Sequence, residues 1–153
     1  MFEHKEFSMT DSDYRFISQS VYDQCGIVLS DQKRDMVYSR LARRIRLLKL
    51  SSFADYIRYL ENNEASEFTE FINAITTNLT SFFREPHHFE FLKKTVLPEM
   101  KKNHVKDHRV RIWSAGCSTG MEPYSLAMTL HNKFPKNWDF KILATDLDTN
   151  VLD

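Results

Sequence analysis

The chain has 153 residues, of which 42% are apolar, and its 21 basic and 21 acidic side chains give a formal net charge of zero. This length suits one domain or two small ones, and twelve phenylalanines supply enough apolar surface for a buried core. Zero net charge creates no overall field that would point to nucleic acid or a membrane, while two cysteines and no membrane-length apolar run indicate a soluble, cytoplasmic protein.

The first half of the chain has the sequence pattern of four short helices. Cap residues stand at Ser8–Ser12, Ser30–Asp31 and Ser51–Ser52, before the first three helices, and Gly26 ends the first. Each helix carries apolar residues at a spacing of three or four, as a helix buried on one face requires. These positions are Tyr14, Ile17, Val21 and Tyr22; Val37, Leu41, Ile45 and Leu48; Phe53, Tyr56, Ile57 and Leu60; and Phe68, Phe71, Ile72 and Ile75.

The segment 76–86 breaks this rhythm, with four hydroxyl residues and an asparagine within six positions. Such side chains compete for backbone hydrogen bonds, so an irregular connection is predicted. Pro86 suits the first turn of a further helix, which carries Phe89, Leu92, Val96 and Leu97. The sequence therefore predicts an all-α domain over residues 1–78 and a second domain over 79–153.

The second domain is predicted to follow a strand–helix–strand order over residues 109–114, 121–133 and 139–145. This order is typical of parallel strands joined by a crossover helix. The predicted fold class is therefore α/β: a four-helix domain followed by the first β-α-β unit of a Rossmann-like domain.

A glycine turn joins the first strand to its helix, and it holds two of the three glycines of the chain, Gly116 and Gly120. Gly116 lets the backbone approach a ligand closely, and Asp146, at the tip of the second strand, is of the type that binds ribose hydroxyls. Glu122 opens the helix, where it repels a phosphate but attracts a cation. S-adenosylmethionine carries a sulfonium and an ammonium and no phosphate, so the charges favour it over NAD.

A plainer interpretation of the same residues is also open. The glycines can simply make a turn, and Glu122 can simply stabilise the dipole of its helix. Cys117 is interpreted as a small packed residue rather than a nucleophile, and His87 and His88 lack the cysteine or acidic neighbours of a zinc site, so no metal is expected.

Three longer motifs resemble the CheR-type chemotaxis receptor methyltransferases. They are residues 76–85 (TTNLTSFFRE), residues 113–125 (WSAGCSTGMEPYS) and residues 144–148 (ATDLD). The resemblance spans about residues 10–153 and implies a helical domain joined to a domain that binds S-adenosylmethionine. It further implies methylation of glutamate side chains on the cytoplasmic helices of chemoreceptors, with S-adenosylhomocysteine as product.

The resemblance also implies which residues contact the methyl donor. The hydrogen-bonding groups of these residues agree with such roles. Asp146 can accept hydrogen bonds from two ribose hydroxyls, and the planar guanidinium of Arg84 can bind a carboxylate. The alternative for Arg84 is a surface ion pair with Glu85 or Glu90. The family implies later elements that this chain lacks, so an incomplete enzyme is expected whose two strands expose their edges and favour self-association. The predicted cofactor-binding residues are Asn78, Thr80, Arg84, Gly116, Glu122 and Asp146.

The second helix is rich in basic residues, since residues 31–50 hold seven bases and two acids. Lys33, Arg40 and Arg44 fall within about 40° of one another on a helical wheel and are predicted to form a positive ridge. An acidic, glutamate-rich receptor helix is the natural partner, because complementary charge speeds encounter and sets register. A merely solvated face is the alternative, and the ridge is too short to indicate nucleic-acid binding.

The predicted reaction is a direct displacement at the sulfonium methyl group by a glutamate oxygen. An ionised carboxylate is already a nucleophile, so positioning would supply most of the acceleration, on the order of 7–11 kcal/mol. Two other functions stay open at this point. One is a nicotinamide-dependent oxidoreductase, against which Ser118 and Glu122 argue, and the other is a non-catalytic adaptor that binds receptor helices or senses the methyl donor.

Overall fold

The computed structural model describes residues 5–103 and 106–152. It divides into two compact units, Met1–Thr76 and Thr77–Asp153, and each is described by itself. Within the described residues, no helix has both the length and the apolar character that crossing a membrane requires.

The first unit consists of four α-helices, as the sequence predicts. The fourth begins at Glu64, and a short 3-10 turn at Asp31–Lys33 precedes the second. The helices are α1 (Asp11–Cys25), α2 (Arg34–Leu47), α3 (Phe53–Asn62) and α4 (Glu64–Ile75).

Local hydrogen bonds explain where the first helix begins and ends. The hydroxyl of Thr10 accepts from the backbone N–H of Asp13, and the Asp13 carboxylate accepts from the N–H of Thr10, which is a complete capping box. Gly26 has a φ of +68° and donates its N–H to the carbonyl of Tyr22. A left-handed residue at this position ends a helix, and glycine adopts it without strain.

The core of this unit is formed by the apolar faces of all four helices. Its aromatic rings are in direct contact, with centroids 5.4 Å apart for Tyr38 and Phe53 and 6.3 Å apart for Tyr56 and Phe71. The buried cluster comprises Tyr14, Ile17, Val21, Val37, Tyr38, Leu41, Ala42, Ile45, Phe53, Tyr56, Leu60, Phe71, Ile72 and Ile75.

A buried ion pair joins α2 to α4 beside this core. The guanidinium of Arg44 donates two hydrogen bonds, of 2.8 and 2.6 Å, to the carboxylate of Glu67, which is only 2% exposed. Tyr56 donates its hydroxyl to the same carboxylate at 3.0 Å. Burial, followed by the negative charge of Glu67, raises the pKa of the Tyr56 phenol, so it stays protonated and remains a donor.

The second unit contains a helical stretch, a two-stranded sheet and the helix between the strands. Its elements are α5 (Pro86–Phe91), a π-helical segment (Leu92–Val96), α6 (Leu97–Asn103), β1 (Arg109–Ala115), α7 (Met121–Leu130) and β2 (Asp139–Thr145), followed by a 3-10 turn at Thr149–Val151. The predicted β-α-β unit is confirmed, although the helix ends three residues earlier than predicted.

The π-helical segment has a cause in the sequence. Pro98 has no backbone N–H, and its ring clashes with the carbonyl four residues back in a regular helix. Just before it, the N–H of Leu97 donates to the carbonyl of Leu92, five residues back rather than four. The wider turn therefore lets one continuous helical stretch accommodate the proline.

The two strands are parallel and in register from Arg109 opposite Asp139 to Ala115 opposite Thr145. One face of β1 is buried through Val110 and Ser114. On the other face, Trp113 lies beside Leu143 in the register, and they are 66% and 60% exposed. Two large apolar side chains therefore lie exposed side by side on this face of the sheet.

Candidate functional site

The glycine turn after β1 is tied to the end of β2. The N–H groups of Gly116 and Cys117 both donate to the carbonyl of Thr145, at 2.8 and 2.9 Å. Gly116 and Gly120 have φ values of +86° and +89°, which only glycine adopts readily, and a Cβ added at Gly116 would meet no atom within 4 Å. The turn therefore leaves open space beside Gly116, as close approach of a ligand requires.

Asp146 holds this turn in place from the tip of β2. One of its carboxylate oxygens accepts from the N–H of Ser118 at 2.7 Å, and the other accepts from the N–H of Asp148 at 2.9 Å. Ser118 has a φ of +49°, an unfavourable conformation for a non-glycine residue. The charged acceptor on its N–H helps to stabilise that conformation. Each carboxylate oxygen keeps a second lone pair for a further donor.

Asn78 is joined to the same turn through its backbone and its side chain. Its carbonyl accepts from the hydroxyl of Ser118 at 2.9 Å, and its side-chain amide donates to Asp148 at 2.5 Å. The structure thus brings together Asn78, the glycine turn and Asp146, which are far apart in the sequence. Thr80 lies half-buried two residues beyond Asn78.

Glu122 lies in the first turn of α7, with its carboxylate fixed by the hydroxyl of Ser114 at 2.6 Å. Ser114 is almost fully buried on β1, whereas Glu122 is exposed. A buried donor thereby positions an exposed acid beside the glycine turn. Such an acid at a helix N-terminus is stabilised by the helix dipole and disfavours a phosphate.

Arg84 is exposed and donates to the carbonyl of Leu79 at 2.6 Å, within its own segment. The alternative predicted from the sequence was a surface ion pair with Glu85 or Glu90. Glu90 instead pairs with Lys93 and Lys94, and Oε2 of Glu85 lies 3.7 Å from Nδ1 of His87.

Cys117 is buried in the turn, where burial and then the negative charges of Asp146 and Glu122 raise the pKa of its thiol. A thiol with a raised pKa stays protonated and is a poor nucleophile. The packed, unreactive role expected from the sequence agrees with this environment.

The positive ridge of α2 differs from its sequence-based description. Few acids lie near it in the sequence, but α4 supplies Glu67 and Glu70 to Arg44, whose side chain is only 17% exposed. Arg40 donates to the carbonyls of Ile75 and Thr76 and so caps the end of α4. Acids of another helix therefore neutralise Arg44, which does not stand free on the predicted ridge, whereas Lys33 is exposed.

The contacts of three residues of the site are not predicted from the sequence. Ser114 looks like an ordinary small residue, and Ser118 is noted there only as an argument against a nicotinamide nucleotide. Their hydroxyl contacts form only in the tertiary structure. Asp148 had a local signal, because its carboxylate accepts from the N–H of Asn150 and caps the 3-10 turn that follows. An aspartate that accepts from the backbone N–H two residues further on is a common turn pattern.

Two family models match the chain, one over each unit. The CheR methyltransferase all-alpha domain matches residues 12–76, and the CheR methyltransferase SAM binding domain matches residues 78–153. The chain belongs to the CheR methyltransferase family. The resemblance and the fold class predicted from the sequence are thereby confirmed, and the match identifies S-adenosylmethionine as the cofactor instead of a nicotinamide nucleotide.

Curated relatives in the CheR family are similar over nearly the whole chain. A chemotaxis protein methyltransferase of Escherichia coli (strain K12) is 46% identical over 155 residues, covering 97% of this chain and 50% of that protein. Chemotaxis protein methyltransferase 2 of Pseudomonas aeruginosa is 45% identical, covering 100% and 53%. That of Borreliella burgdorferi is 38% identical, covering 95% and 54%. The chain spans about half the length of the curated relatives it matches.

Proposed function

We propose that this chain forms the helical domain and the first part of the cofactor domain of a methyltransferase that modifies glutamate side chains of chemoreceptors. The observation that carries the proposal is the acidic site around the glycine turn. Asp146 accepts from the N–H of Ser118 in this turn, Glu122 follows the turn in the first turn of α7, and Asn78 adds a polar amide. Negative charge at this place suits a cationic methyl donor and opposes a pyrophosphate.

The residues present fit S-adenosylmethionine by their chemistry. Asp146 would accept the ribose hydroxyls with its remaining lone pairs, and Glu122 would pair with the ammonium of the methionyl part. Gly116 would allow close backbone approach. Thr80 would add a neutral hydrogen bond, and Arg84 would bind a carboxylate, either that of the methyl donor or that of the substrate.

Bound S-adenosylmethionine supplies a methyl group on a sulfonium centre, which an ionised glutamate oxygen can accept without a strong general base. The protein's contribution is then to hold the two reactants together and exclude water. Effective molarities of oriented groups correspond to about 7–11 kcal/mol. The raised pKa of the Cys117 thiol supports a mechanism without a thiolate nucleophile.

Calorimetric titration of the chain with S-adenosylhomocysteine and with NAD tests this proposal. We expect the S-adenosyl ligand to bind in preference to NAD, because two carboxylates at the turn repel the pyrophosphate. Binding of NAD with no binding of S-adenosylhomocysteine would contradict the proposal.

The proposed partner is an acidic, glutamate-rich helix of a chemoreceptor, bound through the basic side of α2. Relatives carry the name chemotaxis protein methyltransferase, which supports receptor substrates in this family. Lys33 is exposed at the start of α2 and is the residue of the predicted set best placed to meet a partner. Arg40 and Arg44 have intramolecular contacts, so they would act mainly by shaping this surface.

We expect the substitution Lys33→Glu to weaken binding of a synthetic acidic receptor helix severalfold at low salt, as exposed charge pairs contribute roughly 0.2–1 kcal/mol. The difference should shrink as salt rises, because the Debye length falls from about 10 Å at 0.1 M to 3 Å at 1 M. Lys49→Glu is the matched control, an equal charge change at an exposed residue beyond the end of α2. Fluorescence-anisotropy titrations measure the affinity of each variant for the helix. If the two variants lose the same affinity, Lys33 is an ordinary solvated residue and not part of a docking surface.

Two further properties belong to the same proposal. Self-association through the sheet is supported by the exposed neighbours Trp113 and Leu143 and by the two-stranded sheet, whose outer edges invite pairing. A cytoplasmic location is supported by the free cysteines Cys25 and Cys117 and by the chemotaxis names of the relatives.

A further inference from the structure

The second acid of the β2 tip, Asp148, is buried and has defined partners on both oxygens. It is 2% exposed, and its Oδ2 accepts from the side-chain Nδ2 of Asn78 at 2.5 Å. Its Oδ1 accepts from the backbone N–H of Asn150 at 3.0 Å. A carboxylate at this burial requires such partners, so the contact with Asn78 is part of the folded structure.

This contact decides which way the amide of Asn78 is turned. A side-chain amide has one donor end and one acceptor end, and a carboxylate can only accept. The NH2 group of Asn78 must therefore face Asp148, which leaves its Oδ1 oxygen for another group. The hydroxyl of Ser118 holds the backbone carbonyl of Asn78 at 2.9 Å, so the main chain of this residue is fixed as well.

We propose that Asp148 is a positioning residue that makes Asn78 an obligatory acceptor toward the ligand, and that this acceptor binds the ammonium group of the methyl donor. The inference rests on the function proposed above. The nearby Asp148 carboxylate adds negative charge, which favours a cation over a neutral hydroxyl as the partner of the Asn78 carbonyl oxygen. The substitution Asp148→Asn removes the constraint, because an asparagine at 148 can offer either a donor or an acceptor to Asn78.

The test uses two ligands that differ by one group: S-adenosylhomocysteine and its analogue without the amino group. In calorimetric titrations, Asp148→Asn is expected to weaken binding of S-adenosylhomocysteine on the order of tenfold and binding of the analogue less than twofold. Asn150→Ala is the matched control, because Asp148 accepts from the backbone N–H of residue 150, which alanine keeps. We expect this variant to bind both ligands as the wild-type chain does.

Asn78→Ala provides an independent variant, since it removes the amide itself. It should reproduce the loss for S-adenosylhomocysteine, and adding Asp148→Asn to it should cause little further loss. Equal weakening of both ligands by Asp148→Asn would show a purely structural role and overturn the inference, as would unchanged binding of S-adenosylhomocysteine. If the wild-type chain binds neither ligand, the proposed function fails and the inference fails with it.

Discussion

Replacement of Glu67 by alanine is expected to lower the free energy of unfolding of the helical unit by about 3–5 kcal/mol. The substitution leaves the guanidinium of Arg44 without the carboxylate that accepts two of its hydrogen bonds, and it deprives the Tyr56 hydroxyl of its acceptor. Removing one partner of a buried ion pair is costly because the other charge stays away from water. Urea denaturation followed by circular dichroism measures the loss.

Glu70→Ala is the matched control for this experiment. Glu70 lies one helical turn further along α4 and also contacts Arg44, at 3.3 Å, but it is 48% exposed. Exposed ion pairs contribute about 0–1 kcal/mol, so this variant should unfold nearly as the wild-type chain does. Similar losses for the two variants would mean that burial does not set the strength of the Glu67 pair.

Replacement of Asp146 by alanine is expected to weaken binding of S-adenosylhomocysteine roughly 10- to 100-fold. The carboxylate is proposed to bind the ribose, and it also holds the N–H groups of Ser118 and Asp148. Hydrogen bonds to charged groups contribute about 1.5–3 kcal/mol each, which corresponds to this range of affinity. Faster hydrogen exchange at the Ser118 amide is expected as a second result, because that amide loses its acceptor.

Asp139→Ala serves as the control for Asp146. Asp139 lies on the same strand at its opposite end, where it pairs with Arg111, and the Arg111 contact lowers the pKa of its carboxyl. This variant should bind S-adenosylhomocysteine like the wild-type chain. Wild-type affinity in Asp146→Ala would remove the β2 tip from the proposed cofactor site.

Local patterns in the sequence were sufficient for most helices and strands of the fold. The start of α1 follows from Thr10 and Asp13, and its end from Gly26, because capping depends on residues within one helical turn. The parallel pair of strands follows from the strand–helix–strand order. Such features depend on neighbours in the chain, so periodicity and cap residues reveal them.

Contacts between distant residues account for what the sequence did not reveal. Arg44 looked unpaired because its acids lie on another helix, with Glu67 23 residues further along the chain. No local pattern indicates that Asp148 is buried, because its amide partner Asn78 lies 70 residues earlier. Residue type predicted the acidic character of the site, but burial and pairing depend on tertiary packing.

The π-helical segment at Leu92–Val96 also sets the phase of the residues on either side of it. Phe89 and Leu97 are both buried, yet eight residues of regular α-helix would rotate them about 80° apart. The wider π-helical turn contains one extra residue. The two side chains are therefore oriented as if they were seven residues apart, with about 20° of rotation between them around the helix axis. The π-helical turn before Pro98 therefore compensates for one extra residue in the helical stretch. As a result, the buried apolar residues before and after it lie on the same face.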